Sequence, residues 1–370
     1  MIDDPFSVDT RTTVKPALFL IGLSCMLLSC SGRFDQSRSY LEWEPVQNEY
    51  ATCFRVLRNN GQQLLIIHGP GATSDTTGIY LIGDAAVDGL DPLPSLQRII
   101  AGTTTHLPFF TILGRENIIV GAVHLRDVFD HRIKALAGQG SIKEVGTADG
   151  IDHELITSLA PQAMFDHPFG KNVRTGNNAL PVIYITEYLE EHPLGRAEWI
   201  KVFGLLTGEE QRADKLFQEI RDRYRMVAES AADLDKKPAV FFGSSWEGQW
   251  FAPPANSYMA QLIKDAGGEY SFADQASRGN LMIDLESVLH KVRRAQHFGM
   301  ILHSWDSITA LALAGGETRL EKIPAVEAGG FYGNTFTSDL FGQAVLEPDV
   351  VLMDLMNIFH RDSLDTSGNR

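Results

Sequence analysis

The chain has 370 residues, 44% of them hydrophobic and 21% charged, a balance that excludes both a disordered chain and a multi-span membrane protein. At roughly 150 residues per domain, this length predicts two or three structural units with a sizeable core. The 32 basic and 47 acidic residues leave a net charge of −15. Such a surface repels phosphate backbones instead of releasing their counterions, which argues against nucleic acid as a partner.

Arg11 and Lys15 precede an apolar run from Ala17 to Leu28. The run is shorter than the ~20 residues a membrane helix needs, and it suits the core of a signal peptide. It ends in Leu27-Leu28-Ser29-Cys30, which resembles the bacterial lipobox. That resemblance implies cleavage after Ser29 and lipidation of Cys30, with residues 1–29 as signal peptide and 30–48 as a polar, aperiodic tether. Asp3, Asp4 and Asp9 are unusual ahead of such a core. The lack of an acidic run just after Cys30 leans towards a periplasm-facing anchor. Of three cysteines, loss of Cys25 and lipidation of Cys30 leave only Cys53, so no intrachain disulfide is expected.

Along the mature chain, Phe54 to Leu57 and Leu64 to Ile67 flank Asn60-Gly61, the signature of a two-residue hairpin. With a further strand at Gly78 to Ile82, residues 49–93 are expected to form a small β-rich leader. From about Arg98, short apolar runs alternate with amphipathic stretches: strands are expected at Ile99-Ile100, Ile118 to Val123, Ala163 to Phe165 and Val182 to Ile185. The pattern returns with strands at Ala239 to Phe242 and Met300 to Leu302, and helices at Met259 to Ala266 and Leu285 to Val292. This predicts an α/β fold with two Rossmann-like lobes, residues 94–196 and 238–370. Between them, residues 197–237 carry the longest helical text. Trp199, Val202, Phe203 and Leu206 form one stripe, and Ala213, Phe217, Ile220, Tyr224 and Val227 continue it beyond Gly208. A single long helix packed on both lobes is expected, which limits them to small rocking.

Two α/β lobes, a connecting helix and a lipoprotein signal together resemble the class III solute-binding proteins of ABC importers, the group that binds cobalamin, ferric siderophores and haem. The first lobe of that family usually carries Asn-Leu-Glu-x-Ile-x-x-Leu-x-Pro-Asp. Here Asp152-His153-Glu154-Leu155-Ile156-Thr157-Ser158-Leu159-Ala160-Pro161-Gln162 matches at Glu154, Ile156, Leu159 and Pro161, and Asp284-Leu285-Glu286-Ser287-Val288-Leu289 repeats the pattern in the second lobe. The run from Glu187 to Trp199, Ser257-Tyr258-Met259-Ala260, and the run from Pro348 to Leu355 resemble a Bacteroidota-type subgroup of iron-complex binders. Three positions depart from the family: Gln162 replaces an Asp, His153 an apolar residue, and Gly299 stands where the second lobe often has Asp.

The resemblance implies a monomeric binding protein with no resident cofactor that delivers a metal chelate to an ABC permease, docking through Glu154 and Glu286. Carboxylates held apart on a rigid body suit bidentate, orientation-specific docking on arginines. Ligands of α/β sheets bind beyond the carboxyl ends of strands. Candidates there are Thr105 and His106, Asp166 and His167, and Tyr188 with its neighbour Glu187, in the first lobe. The second lobe offers Trp246, Trp250, Tyr258 and Trp305. Aromatic rings among small residues suit a flat, bulky, partly apolar ligand. A rival reading is a free zinc or manganese binder using His106, His167, His303 and Asp306, although no His-rich acidic loop accompanies them. A periplasmic hydrolase is the other alternative. It lacks support, since Gly243-Ser244-Ser245 has no second glycine of a nucleophile elbow and no His-Glu-x-x-His or phosphate loop occurs.

Overall fold

A computed structural model describes residues 42–69, 76–84, 86–87, 89–147, 150–168, 180–246, 248–301, 318–334 and 339–367. Cys25, Cys30, His303, Trp305 and Asp306 lie outside the described residues.

The leader is a five-stranded sheet in the order β1 (Glu44–Val46), β2 (Phe54–Asn59), β3 (Gln62–His68), β4 (Thr76–Ile82), β5 (Pro92–Leu93), antiparallel except for the last pair. Asn60 at φ 48° and Gly61 at φ 82° make the expected two-residue turn, with Asn59 facing Gln62. The structure corrects the extent of the tether, because Glu44–Val46 pairs with β2 and Trp43 is buried. The leader docks on the edge of the first lobe. Tyr80 donates its hydroxyl to the Val182 carbonyl at 2.9 Å and accepts from the Tyr184 amide at 3.0 Å, satisfying groups an open sheet edge would leave unpaired.

The first lobe contains β6 (Ile99–Ala101), α1 (Leu107–Ile112), β7 (Ile119–Val123), α2 (His131–Gly138), β8 (Lys143–Thr147), β9 (Gly150–Ile151), α3 (His153–Leu159), β10 (Ala163–Asp166) and β11 (Val182–Tyr184). Its sheet runs β11-β10-β6-β7-β8-β9 and is parallel apart from β9. Every residue of β6 and β7 is buried, which is why they appear as unbroken apolar runs instead of alternating ones. Gln162, the departure from the family pattern, closes a local gap: its side-chain carbonyl accepts from the Gln97 and Arg98 amides at 2.7 and 3.0 Å, just ahead of β6.

The expected long connecting helix is α6 (Glu210–Ala232), and two short helices, α4 (Pro193–Glu198) and α5 (Ile200–Thr207), lead into it. Gly208, at φ 76°, ends α5 in the left-handed conformation that glycine adopts without a Cβ penalty. Only α6 is long, about 35 Å at 1.5 Å per residue. Its Ala213 and Phe217 enter the core of the first lobe, and Ile220, Tyr224 and Val227 enter that of the second.

The second lobe comprises β12 (Ala239–Trp246), β13 (Gln249–Ala252), α7 (Tyr258–Asp265), β14 (Glu269–Tyr270), β15 (Leu281–Ile283), α8 (Leu285–Val292), β16 (His297–Met300), α9 (Pro324–Glu327), β17 (Phe331–Gly333), α10 (Gln343–Leu346) and α11 (Pro348–Ser367), which kinks at His360. The sheet order is β15-β13-β12-β16-β17, with β12, β16 and β17 parallel. The strand expected to reach Leu302 ends at Met300. Gly299 has a steric reason for being glycine. A Cβ there would lie 2.4 Å from the Tyr332 ring and 2.5 Å from that of Phe242.

Two buried carboxylates fasten the leader to the helices. Glu198 accepts from the amides of Glu49, Tyr50 and Ala51 at 2.8–2.9 Å, and Glu190 from those of Thr52 and Cys53 at 2.9 Å and from the Trp199 indole at 3.0 Å. Five consecutive amides thus find charged acceptors. On α6, Arg221 pairs with Glu49 at 2.8 Å and Arg225 with the Tyr50 hydroxyl at 2.6 Å.

Candidate functional site

Three adjacent parallel strands, β6, β10 and β11, end together, and the chain turns after each. After β6, Thr103 caps a short turn by accepting from the Thr105 amide at 3.3 Å, and His106 closes that turn. After β10, the His167 amide donates to Asp166 at 2.8 Å. After β11, Glu187 opens a turn that runs to Leu189. These turns bring His106, His167 and Glu187 into one cluster, with one ligand-type atom from each lying within 4.8 Å of the others. The His106 and His167 rings meet edge to face at 4.9 Å, and the Tyr188 ring stands edge-on to His167 at 5.4 Å.

Burial dominates the electrostatics here. His106 is 0% exposed and Glu187 4%. Burial, and then His167, hold the His106 imidazole well below its ordinary pKa. Burial pushes Glu187 up to about 7, against the pull of the Arg196 guanidinium, and Asp166 up to about 6, against its bond from the His167 amide. Burial, followed by the charge of Glu187, takes Tyr188 up to about 12, so it is a neutral phenol at physiological pH. Among the described residues, Oε2 of Glu187 has no hydrogen-bond partner, and His106, though the Phe165 carbonyl lies beside its ring, makes no well-formed hydrogen bond through either nitrogen. Nε2 of His106 lies 3.9 Å from Oε2 of Glu187.

His106 and His167 were expected at strand ends and stand there together. His106, however, is wholly buried instead of lying on an open loop. Thr105 lies beside it in the same turn. In the third turn, where Tyr188 and its neighbour Glu187 were candidates, it is Glu187 that clusters with the two imidazoles.

The second-lobe expectations fare differently. Trp250 is a core side chain: it is 4% exposed on β13, with the Phe241 and Phe298 rings 6.5 and 6.4 Å away. Trp246 and Trp250, expected beyond a strand end, instead lie on the two strands of a hairpin, with β12 running to Trp246 and Gly248 at φ 81° in the turn. The side chain of Trp246, like all of Trp305, falls outside the described residues. Tyr258 is half-buried at the start of α7, with the Arg196 guanidinium 3.7 Å above its ring. Arg196 also donates to the Tyr188 carbonyl at 2.8 Å, so it joins the second lobe to the turn that carries Glu187. A cavity of about 900 Å³ opens between Phe242, Tyr332 and Phe359. It is lined wholly by residues beyond 235 and is separate from the three-strand cluster.

Sequence similarity to the periplasmic binding protein family spans residues 101–333, from the end of β6 to the end of β17. The chain belongs to that family. This periplasmic binding protein is 26% identical over 283 residues to an uncharacterised lipoprotein of Methanocaldococcus jannaschii, a match covering 72% of the chain and 66%, just under two thirds, of that relative. Its fold is similar to that of the triscatecholate siderophore binding protein FeuA of Bacillus subtilis complexed with ferri-bacillibactin, at 15% identity and TM-score 0.57, over 73% of this chain and 94% of that one. It is equally similar to a periplasmic heme binding protein of Pseudomonas aeruginosa, at 18% identity and TM-score 0.57, over 72% and 93% of the two chains.

In this binding protein Glu154 and Glu286 occupy like places in their lobes. Each sits in the first turn of its helix, α3 or α8. Asp152 caps α3 through the Leu155 amide at 2.8 Å, and Asp284 caps α8 through the Ser287 amide at 2.9 Å. Both glutamates are exposed, and Glu286 pairs with Arg319 at 2.9 Å.

Proposed function

We propose that the protein is the substrate-binding lipoprotein of an ABC importer, anchored through Cys30 and facing the periplasm. It captures a chelated metal complex, a ferric siderophore in the first instance and cobalamin or haem as the alternatives, and hands it to the permease. The reading rests on membership of the periplasmic binding protein family in a chain whose two α/β lobes keep separate cores and share α6. The choice of a chelate draws on the cargo of two proteins of the same fold, one a siderophore binder and one a heme binder. A shared helix embedded in both cores suits binding with little lobe movement. The strand ends of the first lobe then supply one wall of the site, and delivery proceeds by docking of Glu154 and Glu286 on the permease.

Calorimetric titration of the protein with a panel of ferric siderophores, cobalamin and haem tests this reading. Saturable binding of one chelate at one per chain is the expected result. No binding across the panel would overturn the cargo class, whatever the fold.

A further inference from the structure

We infer that the first lobe carries a mononuclear transition-metal site made by His106, His167 and Glu187, which takes a divalent first-row ion directly, without a chelator. The site goes beyond the importer reading and does not depend on it.

Two observations point to a ligand. One is the donor set: two imidazoles and one carboxylate whose candidate atoms all lie within 4.8 Å of one another. Nitrogen and oxygen ligands at about 2.0–2.2 Å from a tetrahedral ion are separated by about 3.4 Å, so the side chains close on an ion by roughly an ångström or less. Such movement is small for residues held in turns after strands. The second observation is independent of spacing. His106 is fully buried, with the Phe165 carbonyl beside it but no well-formed hydrogen bond at either ring nitrogen, and Oε2 of the buried Glu187 is unpartnered among the described residues. Buried polar atoms left this way cost stability unless something satisfies them. Metal coordination satisfies both at once.

The chemistry narrows the ion. Two imidazoles and one carboxylate suit zinc, iron(II), cobalt or manganese better than calcium or magnesium, whose sites are built from oxygen alone. The burial of His106 also narrows what this site can hold, because a macrocycle needs an imidazole that projects into open space and this ring is 0% exposed. A bare ion entering past the half-buried His167 meets no such obstacle. Three protein ligands leave at least one position for water or a donor atom of an incoming small molecule.

The test uses the full chain, stripped with a chelator, dialysed and titrated with zinc(II) and separately with cobalt(II). One ion per chain is expected by elemental analysis, and cobalt should give visible absorption bands that zinc abolishes. Glu187→Gln and His167→Ala should each weaken zinc at least about tenfold, the lower end of the loss seen when even the partners of metal ligands are removed. His153→Ala, on the exposed start of α3, should leave affinity unchanged. His106→Ala tests the buried ligand, with circular dichroism to show that it folds. If it does not, Glu187→Gln, which nearly preserves volume, decides. Failure of the native chain to retain zinc, or retention unaltered in Glu187→Gln and His167→Ala, overturns the inference. Parallel titration with haem and a ferric siderophore keeps the two readings apart. Chelate binding without zinc binding defeats the site and spares the importer reading, and zinc binding without chelate binding does the reverse.

Discussion

The Cys53 thiol lies half-buried next to the Glu190 carboxylate, and burial, followed by that charge, pushes its pKa up to about 12. Only the thiolate is an effective nucleophile, and with the pKa raised this far very little of it is present at pH 8. Alkylation of the Cys53 peptide by iodoacetamide, followed by mass spectrometry, is therefore expected to be very slow in the native protein and to rise to the rate of an ordinary cysteine on unfolding. Equal rates in the two states would contradict the burial. The same scale shows where sequence reading succeeds and stops. His106 and His167 were legible because strand ends can be located from apolar runs. The choice between Glu187 and Tyr188 was not, because a short turn of Glu187 to Leu189 decides which neighbour faces inward, and no periodicity records that rotation. Trp250 misled because its aromatic cluster looks like a loop. The hairpin register sets it against Ser245 and Ile283, among core rings.

At the scale of elements, the run from Glu187 to Trp199 joins two tasks that its sequence does not separate. Its start furnishes the metal-type carboxylate, and Glu190 and Glu198 further on hold the leader. Glu198→Ala would strip the acceptor from three backbone amides, and unsatisfied buried donors cost about 1–3 kcal/mol each before relaxation. A loss of roughly 3 kcal/mol in urea unfolding is expected, with about half that for Glu198→Gln, which keeps one acceptor oxygen. An effect below about 0.5 kcal/mol, the usual surface value, would remove the clamp from the fold's energetics. The break between α5 and α6 belongs here too. The apolar stripe passes over Gly208 without losing phase, so hydrophobic spacing alone predicts one helix, whereas the left-handed glycine divides it. The leader hairpin, by contrast, was fully legible, because Asn-Gly admits few other backbones.

At the scale of the molecule, the two lobes offer Glu154 and Glu286 from like positions on capped helices, which gives the pair a fixed separation as long as α6 stays embedded in both cores. Glu154→Ala combined with Glu286→Ala is expected to abolish transport in an uptake assay while leaving cargo affinity within twofold, since neither residue belongs to the cluster of His106, His167 and Glu187. Weakened binding in that double variant would show that the residues serve the cargo site instead. The two-lobed plan was visible in the sequence as a repeated strand–helix pattern, whereas the proposal that α3 and α8 dock on a permease comes from resemblance, not from spacing.

The leader's attachment has one more consequence, a mechanical one. Residues 49–53 are gripped on one side by Glu190 and Glu198, in and beside α4, and on the other by Arg221 and Arg225 of α6. The segment therefore works as a guy rope across the elbow between these helices. A pull arriving from the N-terminal direction meets the pairing of β1 with β2 first, and beyond it several short bonds that share the load between α4 and α6.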